Sequence, residues 1–292
     1  MSSKTIIMTD SSCDLSSDYI KASNVYVIPF TYNIDGQDYV DDLGQTMTYA
    51  QFYDKIRAGS MPTTSQITSY TFEKAFKQFI DEGYSIIYIG FSSALSETFN
   101  NAIIAKNSIL EENPSADITV IDSKSASVGL GLIIYYAAEM LKEGKTKEEI
   151  VEWVENNKLK SNHWFTVDSL DHLKRGGRIS AASAAIGTLL EIKPILIVNG
   201  EGRLEVAKKV RGRKKSIKTL LEILKERIEN PEEQVIFINH GDCLNEAEYL
   251  RDLLLKEVKV KDVMINYVGP IIGTHTGPGM LCMVFLGEER SA

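Results

Sequence analysis

Hydroxyl side chains gather in four polar turns that follow, or lie close to, predicted strands. The turns are DSSCD at 10–14, TTSQ at 63–66, SSALSETFN at 92–100 and DSKSAS at 122–127. A single turn of this kind is ordinarily a helix cap or an Asx turn. Ligands of open α/β sheets bind outside the carboxyl ends of the strands, where such turns lie. Four of them in one chain therefore favour a binding site.

The third turn has the features of an anion site. It joins an apolar run at 85–91 to a predicted helix that continues to about residue 111. Ser96 lies where this helix should begin, so that unpaired backbone N–H groups and the positive end of the helix dipole are close to its hydroxyl. Hydroxyls beside a helix N-terminus can hold an anion without a lysine. The alternative is that these serines only cap the helix.

A glycine-rich segment, GTHTGPG at 273–279, is the second unusual stretch. Glycines let a backbone adopt positive φ or approach a ligand closely, so we expect a loop here that holds His275. In such a loop His275 either donates to an anion or satisfies a buried carbonyl. His240, at the end of the predicted strand in INHGD, is the second candidate histidine. We interpret His163 and His172 as structural or surface residues.

Two basic clusters, KRGGR at 174–178 and KKVRGRKK at 208–215, stand out in a chain whose net charge is -8. Such runs are usually solvated faces. In an acidic protein they can instead dock an acidic partner or a phosphate group. The overall acidity argues against nucleic acid as a partner.

Length and composition indicate a globular protein that is long enough for two modest domains or one large one. The 292 residues are 43% hydrophobic and 25% charged, which is ordinary for a folded chain. The three cysteines are far apart, so neither a metal site nor a disulfide framework is predicted. The first apolar run is too short for a signal peptide, and no run approaches 18 apolar residues. We therefore expect a soluble, cytoplasmic protein.

The order of predicted elements divides the chain near residue 160. Strands at 5–8, 85–91 and 118–121 alternate with helices, which predicts an α/β domain with a parallel sheet over 1–160. A run at 25–34 contains Pro29 and is expected to be an edge or bent strand. Residues 161–292 combine a hairpin with a turn at 199–202, further strands and helices, and a small-residue helix at 179–190. We expect a mixed α+β domain there.

Seven motifs together resemble the DegV family in order and spacing over essentially the whole chain. They are DSSCDL, TSQ, SSALSETFN, LKRGGRIS, VRGRKKS, INHGD and GPIIGTHTGPG. The resemblance implies a two-domain DegV-type α/β fold with one long-chain fatty acid of C16 to C18 between the domains. It implies no cofactor and no metal.

The resemblance also implies a role similar to that of the FakB subunits of bacterial fatty acid kinase. A FakA-like catalytic subunit would phosphorylate the bound acid to acyl-phosphate, which acyltransferases then use in phospholipid synthesis. The chain itself would be a non-catalytic, substrate-presenting subunit. Any membrane contact would be at most transient.

Carried over by position, Thr64 and Ser96 correspond to the hydroxyls that hold the fatty-acid carboxylate, and Ser93 and His275 support them. The basic positions linked to kinase docking or to the product phosphate correspond to Arg175, Arg178, Arg203 and Arg211. The chain departs from the usual pattern at Ile67, Ala94 and Glu97. A second carboxylate at Glu97 would oppose ligand binding unless it turns to solvent.

Three alternatives remain at this stage. A serine hydrolase would use Ser93 or Ser96 with His275 and Asp122, but the G-x-S-x-G nucleophile motif is absent. A nucleotide-binding protein or kinase would need a phosphate-binding loop, and the G-x-x-x-x-G-K-[ST] motif is absent as well. A lipid carrier or sensor without a kinase partner would share every binding residue with the favoured interpretation.

Overall fold

The computed structural model describes residues 4–180 and 191–291. Most of the small-residue helix predicted at 179–190 lies outside these residues. The described strands are β1 (Lys4–Asp10), β2 (Tyr26–Ile28), β3 (Thr31–Ile34), β4 (Gln37–Val40), β5 (Thr63–Ser65), β6 (Tyr84–Gly90), β7 (Ile118–Asp122), β8 (Ser161–Thr166), β9 (Ile192–Val198), β10 (Leu204–Arg211), β11 (Val235–His240), β12 (Asp262–Tyr267) and β13 (Leu281–Leu286). They form three sheets.

The described helices connect and cover these sheets. They are α1 (Ser17–Ser23), α2 (Tyr49–Arg57), α3 (Ser69–Asp81), α4 (Thr98–Glu112), α5 (Val128–Lys142), α6 (Lys147–Asn157), α7 (Asp171–Arg175), α8 (Arg213–Arg227), α9 (Leu244–Glu257) and α10 (Pro270–Thr276). None of the helices in the described ranges combines the length and apolar character needed to cross a bilayer.

The first sheet confirms the predicted parallel α/β architecture of the N-terminal half. Its strand order is β2-β1-β6-β7, and every pairing is parallel. Six of the seven residues of β6 are buried, as expected of a parallel strand that is covered on both faces. The polar turns after β6 and β7 therefore lie at the same edge of the sheet.

Pro29 divides the predicted strand at 25–34 into two pieces. The first piece, β2, is an edge strand of the parallel sheet, and the second, β3, belongs to a separate antiparallel sheet with the order β4-β3-β5. The expectation of an edge or bent strand is confirmed. Neither β4 nor β5 was predicted, because short polar sequences such as TTS carry no hydrophobic alternation. The segment expected as a polar turn at 63–66 is thus largely a strand.

The second large sheet has the order β10-β9-β8-β13-β11-β12 and is mixed, since only β11 and β12 pair in parallel. This confirms the mixed α+β character of the C-terminal half. Side chains alternate between the two faces of a strand. On β11, Ile236 and Ile238 pack in one apolar cluster with α8 and α9, whereas Val235 and Phe237 belong to the larger cluster shared with the N-terminal half. The sheet is therefore covered on both faces.

The buried Arg290 connects the two halves of the chain through hydrogen bonds. Its guanidinium donates to the carbonyls of Lys124 (2.9 Å) and Lys158 (3.0 Å) on one side and of Val198 (3.2 Å) and Asn199 (3.0 Å) on the other. Buried carbonyls that lose their donor destabilise a fold, because water cannot replace it. The division into domains 1–160 and 161–292 stays a prediction, but the C-terminal arginine clearly bridges that boundary.

We predict that Arg290→Met lowers the free energy of unfolding by on the order of 2–4 kcal/mol, because several buried or partly buried carbonyls lose their donors. Urea unfolding followed by circular dichroism measures this as a lower midpoint at constant slope. Arg251→Met is the matched control, since the ion pairs of Arg251 with Glu248 and Asp252 lie at the surface. Equal midpoints for the two variants would contradict the bridging role.

Candidate functional site

A cavity of about 510 Å³ lies between the two halves of the chain. Both halves supply its walls, and the larger apolar side chains are Phe30, Phe91, Phe165, Leu204, Ile271 and Met280. The polar lining residues include Thr64, Ser93, Ser96 and His275. A mostly apolar cavity of this size with a few convergent polar groups is typical of a small-molecule site.

Thr64 and His275 meet at one end of the cavity. Thr64 lies on β5 and is held by its pairing with Tyr32 of β3. Its Oγ1 atom is 3.0 Å from Nε2 of His275. The expectation that His275 lies in a loop was wrong, because residues 270–276 form the helix α10 with proline at its start. Gly277, with φ of +73°, ends that helix.

The surroundings of His275 determine its protonation. Burial lowers the pKa of His275 to about 4, and the positive charges of Arg178 and Arg175 add to this effect. The ring is therefore neutral at physiological pH. Its Nδ1 atom is enclosed and has no hydrogen-bond partner in the described part of the chain. We assign the proton to Nε2, since a lone pair on Nδ1 is favoured beside the two cations.

This tautomer determines what Thr64 can do. The Nε2–H group of His275 donates to Thr64 Oγ1, and the hydroxyl proton of Thr64 is then free to point into the cavity. The contact requires glycine at position 176, because a Cβ there would lie 2.1 Å from Nδ1 of His275. Sequence reasoning missed Gly176 as a site residue, although it is part of the quoted KRGGR motif.

Ser96 lies two residues before the first residue of helix α4, close to the predicted start of the helix. Its Oγ atom accepts the backbone N–H of Thr98 (3.2 Å) and lies 2.9 Å from Thr98 Oγ1. Thr98 is fully buried, and its Oγ1 accepts the N–H of Ile67. Thr98 thereby joins the Ser96 turn to the segment that follows Thr64. Thr98 was not among the predicted site residues; the signal in the sequence is a second hydroxyl two residues after Ser96.

Ser93 has a different partner from the one a hydrolase requires. Its hydroxyl donates to Asp122 Oδ2 (2.6 Å), and its N–H group donates to Oδ1 of the same carboxylate (3.3 Å). In a serine hydrolase the histidine accepts the proton of the serine. Here His275 is paired with Thr64 instead. The geometry therefore disfavours the hydrolase alternative.

Glu97 follows Ser96 and is one of the residues that line the cavity. Its side chain is exposed, and its Oε2 atom accepts Nδ2 of Asn100 at 2.6 Å. The residue does not cap helix α4 through its side chain. The charge of Glu97 is thus solvated, which reduces its repulsion of an anion.

The four arginines named above are not equivalent. Arg178 is half-buried, lines the cavity and donates through Nε to the carbonyl of Leu95 (3.2 Å). Arg203 is exposed and lines, together with Arg178, a groove that shares four residues with the cavity. Arg175 is exposed next to His172. Arg211 lines neither space and pairs with Glu191 at the surface. The structure therefore brings Arg178 and Arg203 together at the cavity mouth.

The first polar turn has a structural role. The carboxylate of Asp10 accepts the backbone N–H of Ser12, the hydroxyl of Tyr88 (2.9 Å) and the N–H of Phe91 (2.9 Å). Through Tyr88 and Phe91, Asp10 thus holds the end of β6 in position. His240 is also structural, because its ring packs on Tyr267 with a centroid distance of 4.3 Å.

Comparison with known proteins agrees with this architecture. A profile of the DegV family, which is described as a family of uncharacterised proteins, matches residues 4–288. The chain belongs to the DegV family. A DegV domain-containing protein of Clostridium perfringens is 49% identical over 287 residues, which cover 98% of this chain and 99% of that protein.

Two solved structures of similar fold are described as binding fatty acids. A DegV family protein from Thermus thermophilus, described by its fatty acid binding, superimposes with a TM-score of 0.87 at 30% identity, covering 98% of this chain and 100% of that one. A stearic acid-binding protein from Eubacterium ventriosum superimposes with a TM-score of 0.86 at 28% identity, covering 97% and 98%. These proteins share the DegV architecture with the present chain.

We predict that Gly176→Ala displaces the ring of His275 and breaks its contact with Thr64. The released ring becomes more hydrated, so the pKa of His275 rises from about 4 toward its ordinary value of about 6.5. An NMR pH titration of the histidine ring protons measures this. Lys174→Ala, an exposed change on the same short helix, should leave the titration unaltered. An unshifted His275 in Gly176→Ala would contradict the packing described here.

Proposed function

We propose that this DegV protein binds one long-chain fatty acid and presents its carboxylate to a fatty acid kinase catalytic subunit. The kinase would form an acyl-phosphate that feeds phospholipid synthesis. The observation that carries the proposal is an apolar cavity whose polar end contains the paired Thr64 and His275 and the nearby Ser96. The fatty acids bound by the Thermus thermophilus and Eubacterium ventriosum proteins support the same ligand class.

The polar end can stabilise a buried carboxylate without a directly paired cation. Burying such a group is unfavourable unless hydrogen bonds replace its water. Thr64 has a free hydroxyl proton because His275 already donates to its oxygen. The Ser96 hydroxyl can rotate from Thr98 to the ligand, and Thr98 can then donate to Ser96 in return. The first N–H groups of α4 add the positive end of the helix dipole.

The apolar walls supply the affinity. Burial contributes roughly 0.8 kcal/mol for each CH₂ group, so about fifteen methylenes offer on the order of 12 kcal/mol before the costs of binding are subtracted. A carboxylate held only by hydroxyls would bind weakly by itself. The acid is thus retained by its tail and oriented by its head.

A neutral set of donors also suits the transfer that we propose. In that step a carboxylate oxygen attacks the terminal phosphorus of the nucleotide held by the kinase, and the bond from that phosphorus to the leaving oxygen breaks. Neutral hydroxyls leave the carboxylate more nucleophilic than a bidentate arginine would. Arg178 stands at the mouth, where its charge can meet the phosphate of the product.

We predict that the double variant Thr64→Val/Ser96→Ala loses its bound acid. Native mass spectrometry of the protein purified from a bacterial host should show one C16 to C18 acid per wild-type chain. Removing two hydrogen bonds to a charged group weakens binding by roughly a hundredfold or more. The control Thr46→Val/Ser115→Ala changes two exposed hydroxyls and should keep the acid. A wild-type chain that is empty and also refuses added acid would refute fatty acid binding.

The kinase partnership requires a separate test. We predict that Arg175→Glu/Arg203→Glu slows acyl-phosphate formation by a bacterial fatty acid kinase catalytic subunit with ATP, raising the KM for the loaded protein about tenfold or more. Fatty acid binding, measured by native mass spectrometry, serves as the internal reference. Arg251→Glu, a charge reversal elsewhere on the surface, is the control. A loaded wild-type chain that no kinase subunit phosphorylates would favour a lipid carrier or sensor instead.

A further inference from the structure

The end of the cavity opposite to His275 contains a second histidine that the proposed function does not use. His163 lies on β8, and its ring lines the cavity although only 3% of the residue is exposed. Phe165 follows it on the same face of the strand, and the chain then leads to Leu173 and Gly176, against which His275 packs. His163 and His275 therefore lie toward opposite ends of this wall.

The proton positions around His163 follow from its two neighbours. Nε2 of His163 is 3.2 Å from Ser125 Oγ and 3.3 Å from Ser161 Oγ. The Ser125 hydroxyl donates to the carbonyl of Ser123, and the Ser161 hydroxyl donates to the carbonyl of Gly129. Both hydroxyl protons are donated to carbonyl oxygens. Nε2 of His163 must therefore carry a proton, which it donates to the two serine oxygens.

This leaves Nδ1 of His163 as an acceptor. Within the described residues, the hydrogen bonds of the ring all involve Nε2. Burial and the charge of Arg290 keep the pKa of His163 well below its usual value, so the ring is neutral and the Nδ1 lone pair is available. Gly129 leaves the space for the ring, because a Cβ at that position would lie 1.5 Å from Cε1 of His163.

A second acceptor lies in the same region. Ser127 lines the cavity two residues before Gly129, and its hydroxyl donates to Asp14 Oδ2. Its oxygen can therefore only accept a further hydrogen bond. A plain hydrocarbon tail has no donor to offer these two acceptors. A buried acceptor that lacks a donor is unfavourable. The two acceptors match a ligand that brings a hydroxyl proton.

We infer that the far end of the cavity recognises acyl chains that carry a hydroxyl group away from the carboxylate, with Nδ1 of His163 as the acceptor. This inference rests on the proposed function, because the chain must first hold a fatty acid. A hydrogen bond of ordinary strength corresponds to a preference of about 3- to 10-fold for the hydroxylated acid. Such a ligand is produced by hydration of an unsaturated acyl chain or by hydroxylation of a saturated one.

The test compares stearic acid with 10-hydroxystearic and 12-hydroxystearic acids in competition for the delipidated wild-type chain, read by native mass spectrometry. At least one hydroxylated acid should be preferred by about 3- to 10-fold. In His163→Phe the ratio of the affinities should fall to about one or below. In Cys282→Ala, which trims a neighbouring wall residue without removing the acceptor, the ratio should persist even if both affinities fall.

The outcomes separate this inference from the function on which it rests. Wild-type chain that binds stearic acid and shows no preference for either hydroxylated acid would overturn the inference alone, and this holds even if His163→Phe does not fold. A preference that survives in His163→Phe would also overturn it, because the acceptor would then be elsewhere. Wild-type chain that binds none of the three acids would overturn both.

Discussion

The six-stranded sheet of the C-terminal half must be covered on both faces, and the rest of the structure depends on this constraint. One row of side chains packs against α8 and α9, whereas the alternate row faces the N-terminal half. The second face is closed by a layer from a different part of the chain, and the closure is incomplete. The cavity is the space that remains. Arg290 holds the two layers together through carbonyls on both sides.

At the polar end of the cavity, burial affects the protonation of His275 more than the neighbouring formal charges do. His275 is neutral because it is buried and lies beside two arginines. Arg178, which is close enough to lower that pKa, uses Nε for the carbonyl of Leu95. The polar end of the cavity is therefore lined by the hydroxyls of Thr64 and Ser96 beside a neutral histidine, and Arg178 lines both the cavity and the adjoining groove. Such a site suits an anion that must be held and then made available for reaction.

The direction in which each hydroxyl donates distinguishes the regions of the cavity. Ser93 donates to Asp122, and Ser127 donates to Asp14. Both serines thus offer only acceptor oxygens to a ligand. Thr64 differs, because the proton of His275 is directed at its oxygen. The Thr64–His275 pair consequently favours an acceptor such as a carboxylate, whereas Ser93 and Ser127 favour a donor.

The sequence alone predicted the parallel sheet and most of the longer strands and helices, since hydrophobic periodicity and capping chemistry are local properties. The polar residues that it named, Thr64, Ser93, Ser96 and His275, line the cavity. Only the tertiary structure decided which residues meet. Thr64 and His275 are 211 residues apart in sequence, and Thr64 reaches the site on a strand, β5, that has no hydrophobic pattern. The orientation and proton position of His163 likewise depend on Ser125, Ser161 and Gly129, which only the fold brings next to its ring. The sequence specifies the type of each side chain. Only packing decides its hydrogen-bond partners, and hence whether it donates or accepts.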